Sequence, residues 1–138
     1  MEVAELELHD AEGRRRHAFR TGELLRVEMT VRSSTPAERA VMALEVRDHR
    51  GQTCFRTDTT LGAIEGEVEV SFEVPRLVLL GGDYDVAVGG YDQDAPAITP
   101  LDRVARFSVA ETLEGEGVAD LRGSWTVAGS KAAEEALR

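Results

Sequence analysis

Glu67-Val68-Glu69-Val70-Ser71-Phe72-Glu73-Val74-Pro75 leads through Arg76-Leu77-Val78-Leu79-Leu80-Gly81-Gly82 into Asp83-Tyr84-Asp85-Val86-Ala87-Val88-Gly89. Two strict alternations flank a short apolar connector. In an extended chain successive side chains point to opposite faces, so Val68, Val70, Phe72 and Val74 share a dry face and Glu67, Glu69, Ser71 and Glu73 a wet one. Pro75 has no N–H to give to a ladder and ends the first run, and Gly81-Gly82 lets the backbone turn before Tyr84, Val86 and Val88 resume the pattern. A tyrosine just inside a strand, two residues before a core position, is the tyrosine-corner pattern of immunoglobulin-like sandwiches, which makes Tyr84 a structural anchor rather than a ligand contact.

The same alternation recurs along the chain. Strands are expected near Val3 to Leu8, Leu24 to Val31, Val41 to Asp48, Cys54 to Thr59, Glu67 to Val74, Asp83 to Gly89 and Arg103 to Val109, with almost no helix. In the second of them Leu25, Val27, Met29 and Val31 face the core, and Arg26, Glu28 and Thr30 face out. Turn chemistry separates the runs at Asp10-Ala11-Glu12-Gly13, Ser33-Ser34-Thr35-Pro36, Asp48-His49-Arg50-Gly51 and Glu65-Gly66, each read as a chain reversal. The expected fold is all-β, an immunoglobulin-like two-sheet antiparallel β-sandwich of seven to nine strands. One domain spans 1–127, in which 118–127 resumes an extended pattern, and 128–138, small and charged, is expected to fray.

Composition bounds the function. The 138 residues suit one domain that buries roughly two thirds of its unfolded surface without a disulfide, and the single cysteine, Cys54, has no partner. A formal net charge of -10 opposes association with a polyanion, so no nucleic-acid partner is expected. No basic region and apolar stretch follow Met1, and the strongest apolar run, Leu77 to Leu80, is too short to cross a bilayer, so the chain is expected to be soluble.

Fragments of catalytic and cofactor motifs occur along the chain, none of them complete. Gly129-Ser130-Lys131 lacks the upstream glycine, strand and helix of a phosphate-binding loop. His9, His17 and His49 stand at turns and strand ends without metal-ligand spacing. Asp83, Asp85, Asp92 and Asp94 carry oxygen ligands, but not in the order of a calcium-binding loop, and aspartate is also an ordinary turn residue. The expectation is a non-catalytic protein with no metal and no cofactor.

What remains is a surface. If Tyr84, Val86 and Val88 point inward, Asp85, Ala87 and Gly89 point outward and leave a strand with little side-chain relief, which a ligand can approach closely. In an immunoglobulin-like order its neighbours carry Arg47 and Arg106, with Arg56 and Asp58 one strand further and Tyr91 on the adjoining loop. Guanidinium and carboxylate groups make paired hydrogen bonds to sugar hydroxyls. Arg47, Arg56, Asp58, Ala87, Gly89, Tyr91 and Arg106 therefore form a candidate glycan platform, to be weighed against an ordinary solvated sheet face.

Several landmarks, in order, carry a family resemblance. They are Leu8-His9-Asp10-Ala11-Glu12-Gly13, Phe19-Arg20-Thr21-Gly22-Glu23-Leu24, Glu45 to Gly51 with Phe55-Arg56-Thr57-Asp58-Thr59, and Phe72 to Tyr84. Leu101-Asp102 with Phe107-Ser108-Val109, and Gly117-Val118 to Trp125, complete the series. From about Val3 to Trp125 the chain resembles the Wzt-type C-terminal domains appended to the ATP-binding subunit of bacterial ABC transporters that export O-antigen and related lipopolysaccharide glycans.

The resemblance implies a carbohydrate-binding β-sandwich that reads a cell-surface polysaccharide, or its terminal cap, in the cytoplasm before export. It implies ATPase and permease partners and contact with the membrane only through them, at its inner face. It also implies a homodimer that exchanges a C-terminal strand, here 118–127 after the acidic, glycine-containing connector Glu114-Gly115-Glu116-Gly117, with Val118, Leu121 and Trp125 at the interface. Unlike those subunits, the given sequence carries no ATPase motifs. Two other classes stay open: a structural β-sandwich that only dimerises its parent, and a calcium-dependent adhesive domain.

Overall fold

In a computed structural model that describes residues 1–94, 101–110, 117–121 and 123–127, the alternating runs become six strands and no helix. They are β1 (Glu2–His9), β2 (Ala18–Arg20), β3 (Leu25–Asp48), β4 (Thr53–Val74), β5 (Gly82–Asp92) and β6 (Arg103–Ala110). All belong to one hydrogen-bonded sheet in the order β1-β3-β5-β6-β2, with β4 paired to β3. The pairs are antiparallel except β2 with β6, which run parallel, so the sheet is mixed where a wholly antiparallel arrangement was expected.

The sheet curls because β3 and β4 are long and bent together. Leu25 to Ser33 pairs with Val74 to Gly66, and Ala40 to Arg47 pairs with Gly62 to Thr53. Between these arms Ser33, Ala37 and Ala40 face Gly66, Ile64 and Gly62, so β3 spends more residues than β4 on the same stretch. Extra residues on one strand of a pair force a bend and a stronger twist. Gly62 and Gly66 supply the β4 side with φ of +81° and +83°, a region costly for any residue with a Cβ. Pro36 stands exposed in the bend, where a missing N–H does no harm.

Two of the expected reversals are thereby corrected. Ser33 to Pro36 and Glu65-Gly66 bend continuous strands instead of ending them, and Leu24 to Val31 with Val41 to Asp48 form one strand, as do Cys54 to Thr59 with Glu67 to Val74. The other two turns do reverse the chain, at Asp10 to Gly13 and Asp48 to Gly51.

The bend serves the core. The first arm of β3 pairs with β1 and the second with β5, so the apolar faces of the two arms close on each other. Leu8, Val27, Val31, Phe19, Val86, Val88 and Phe107 are fully buried. Phe107 meets Phe19 edge-on at 6.1 Å and stacks on Tyr84 at 5.6 Å, arrangements favoured by ring electrostatics. Tyr84 is buried and its hydroxyl donates to the Leu80 carbonyl at 2.7 Å, the anchor its position predicts.

Among the described strands β4 pairs with β3 alone, and its core-facing Val68, Val70, Phe72 and Val74 are only partly covered. Beside it lies an apolar cleft of about 370 Å³ lined by Val46, Phe55, Phe72, Leu79 and Val118, among others.

Candidate functional site

Alternation along β5 places Tyr84, Val86 and Val88 in the core and Asp85, Ala87, Gly89 and Tyr91 on the opposite face. Register then decides their neighbours. On β3, Arg47 lies opposite Asp85, Glu45 opposite Ala87, Ala43 opposite Gly89 and Val41 opposite Tyr91. On β6, Arg106 is opposite Asp85 and Val104 opposite Ala87. Across β3, β4 sets Arg56 against Glu45 and Asp58 against Ala43. All seven residues of the expected platform therefore occupy one face of four adjacent strands.

Their exposure differs from the expectation. Arg56, Asp58 and Arg106 are exposed and Arg47 and Tyr91 half-buried, but Ala87 and Gly89 are buried and not open to solvent. Ala43 beside Gly89 is buried too. A methyl group between Glu45 and Val104 has taller neighbours on both sides, so Ala87 retains no surface. Ala43, Ala87 and Gly89 are short residues covered by the longer side chains around them, so the face is a trough floored by those side chains in place of the open platform expected.

Glu45, which sequence reasoning left out of the site, is the hub of its polar bank. Its Oε2 accepts from Arg47 Nε and from Thr53 Oγ1, each at 2.8 Å, and its Oε1 accepts from Arg56 Nη1 at 3.3 Å. The Arg47 hydrogen bond first, then the Thr53 hydroxyl, hold its carboxyl below the usual glutamate range. Arg56 Nε also lies 3.6 Å from Asp58, whose Oδ2 accepts from the Tyr91 hydroxyl at 3.3 Å. Tyr91 thus reaches across β3 and closes one end of the trough.

On the far bank Arg106 Nε donates to Asp85 Oδ1 at 3.0 Å, which raises the guanidinium further above its usual range. The turn from Asp48 to Gly51 does not by itself place Glu45: a register shift between Val46 and Arg47 moves the pairing on by one residue and brings 45 opposite 56, which no local pattern in the sequence announces. Chemically the trough offers guanidinium donors with unused N–H groups and carboxylate acceptors. Among the described residues no cluster of three His, Cys, Asp or Glu side chains is arranged to hold a metal.

The expected interface residues lie elsewhere. Asp120 N donates to the Val78 carbonyl at 2.6 Å and Leu80 N to the Val118 carbonyl at 3.1 Å, so 118–120 bridges the chain's own connector. Val118 is 41% exposed, while Leu121 and Trp125 stand 89% and 88% exposed. The segment is not one of the six strands. The connector at 114–116 and the tail at 128–138 lie outside the described residues. No helix among the described residues is long and apolar enough to cross a membrane.

Comparison with known proteins places the fold. The crystal structure of the C-terminal domain of Wzt superposes with a TM-score of 0.70 at 20% sequence identity, covering 91% of this chain and 82% of that one. A Pseudomonas fluorescens alkylpurine DNA glycosylase AlkC, bound to DNA containing an abasic site analog, matches at a TM-score of 0.52 and 15% identity. There 79% of this chain covers 30% of the other, a likeness of fold alone. No curated protein matches the sequence. The profile of the Wzt C-terminal domain matches residues 1–121, and over that span the chain belongs to the Wzt C-terminal domain family.

Proposed function

We propose that the chain is a non-catalytic carbohydrate-binding module that recognises a cell-surface polysaccharide of the O-antigen kind for export by an ABC transporter. The observation that carries the reading is the trough. Arg47, Glu45, Arg56, Asp58 and Tyr91 on one bank and Asp85 and Arg106 on the other surround a recessed row of small residues. A sugar edge laid across the side chains that cover this row meets donors and acceptors on both sides. In this reading the two arms of the curl are the layers of an immunoglobulin-like sandwich, and ATPase and permease subunits hold the module at the inner face of the membrane.

The same reading makes the module a homodimer in which 118–127 of one copy joins the sheet of the other. Support comes from the exposed Leu121 and Trp125 and from β4, which among the described strands pairs with β3 alone, because an added strand would close an edge beside its partly covered apolar residues.

A glycan array probed with the intact chain tests the first part. Arg56→Ala and Arg106→Ala are each expected to weaken a bound glycan about tenfold, the loss of one or two charged hydrogen bonds, without lowering the melting temperature. Unchanged affinity in both variants removes the trough as the site. Gly89→Trp, the natural choice for an open face, is unsuitable because Gly89 is buried.

A further inference from the structure

We infer that the trough selects uncharged glycans and rejects those that carry uronate, sialate or phosphate groups; the inference rests on the glycan-binding reading above. Three guanidinium groups, of Arg47, Arg56 and Arg106, face three carboxylates, of Glu45, Asp58 and Asp85, and each arginine already has a carboxylate within 3.6 Å. With Asp83, which shares the outward phase of β5 and acts on Arg106, the face carries no excess of positive charge. An anionic sugar needs a cation with no carboxylate beside it, and among the described residues of this face none of the three is in that position.

Hydroxyl groups face no such barrier. Each guanidinium has five N–H donors and spends only some on its carboxylate, and each carboxylate has lone pairs left for a sugar O–H. Exposed ion pairs contribute little net stability, so ligand hydroxyls can share or replace these contacts without unfolding anything. For an anion the same exchange leaves a displaced carboxylate beside a second negative charge.

The surroundings reinforce the bias. On the outer side of the other arm Glu28, Glu67, Glu69 and Glu73 outnumber Arg26 and Arg32, and the whole chain carries -10. The long-range field therefore repels anions, while the trough itself offers them no compensating charge.

The test uses the intact chain on an array printed with uncharged polysaccharides (mannans, galactans, rhamnans) and with uronate- and sialate-bearing ones. Binding is expected only among the uncharged set, with affinity changing less than about twofold between low and high salt because no net charge is neutralised. The double variant Glu45→Gln/Asp58→Asn frees Arg47 and Arg56 and is expected to gain affinity for a polygalacturonate oligosaccharide at least about tenfold, in a salt-sensitive manner. Glu45→Gln alone serves if the double variant fails to fold. Preference of the unaltered chain for acidic members, or no gain in either variant, overturns the charge-balance inference and leaves glycan binding standing. Silence toward both classes overturns glycan binding itself.

Discussion

Asp10 and Asp48 do the same work in two separate turns. Asp10 Oδ1 accepts from the backbone N–H of Glu12 and Arg14, and Asp48 Oδ1 from those of Arg50 and Gln52, all at 2.9 Å. Gly13 and Gly51 follow with φ of +79° and +82°, and each N–H donates back to the aspartate carbonyl. Hydrogen bonds to the charged form hold both carboxyls below the usual aspartate range, first from Arg14 and from Gln52.

A depressed folded pKa contributes stability above the unfolded value and loses it as pH falls through the folded one. Urea midpoints are therefore expected to be flat near neutrality and to drop below about pH 4, the ordinary carboxylate range. Asp10→Asn and Asp48→Asn should lower the neutral plateau and flatten that acid limb. At Tyr84, replacement by Phe should cost about 1 kcal/mol in the same assay, because the buried Leu80 carbonyl loses its donor.

The β3–β4 ribbon shows why local patterns mislead about strand ends. Ser33-Ser34-Thr35-Pro36 has the composition of a reversal, and nothing within the segment distinguishes a reversal from a bulged bend. The difference lies in β4, which follows β3 through the bend with fewer residues. Gly66→Ala is expected to destabilise by about 1 kcal/mol, since a Cβ is strained at its positive φ even though open space surrounds it. The C-terminal segment is tested by truncation. In sedimentation, the chain ending at Thr112 should be monomeric where the intact chain is dimeric at micromolar concentration. An intact monomer, or equal dimerisation of both, removes the exchanged segment.

Across the whole molecule, the alternation of Glu67 to Val74 and Tyr84 to Val88, the tyrosine anchor and the Asp-x-x-Gly turns were determined by the sequence, because strand phase and turn geometry depend on neighbouring residues alone. So was the gathering of Arg47, Arg56, Asp58, Tyr91 and Arg106, once the strand order was assumed. Only the tertiary structure decided that the arms are continuous, that β2 adds a parallel edge, and that Glu45 binds two arginines. It also decided that Ala87 and Gly89, outward by phase, are nevertheless buried. Phase tells which face a side chain takes; exposure depends on the height of side chains brought beside it by pairing with other strands, which no local pattern contains.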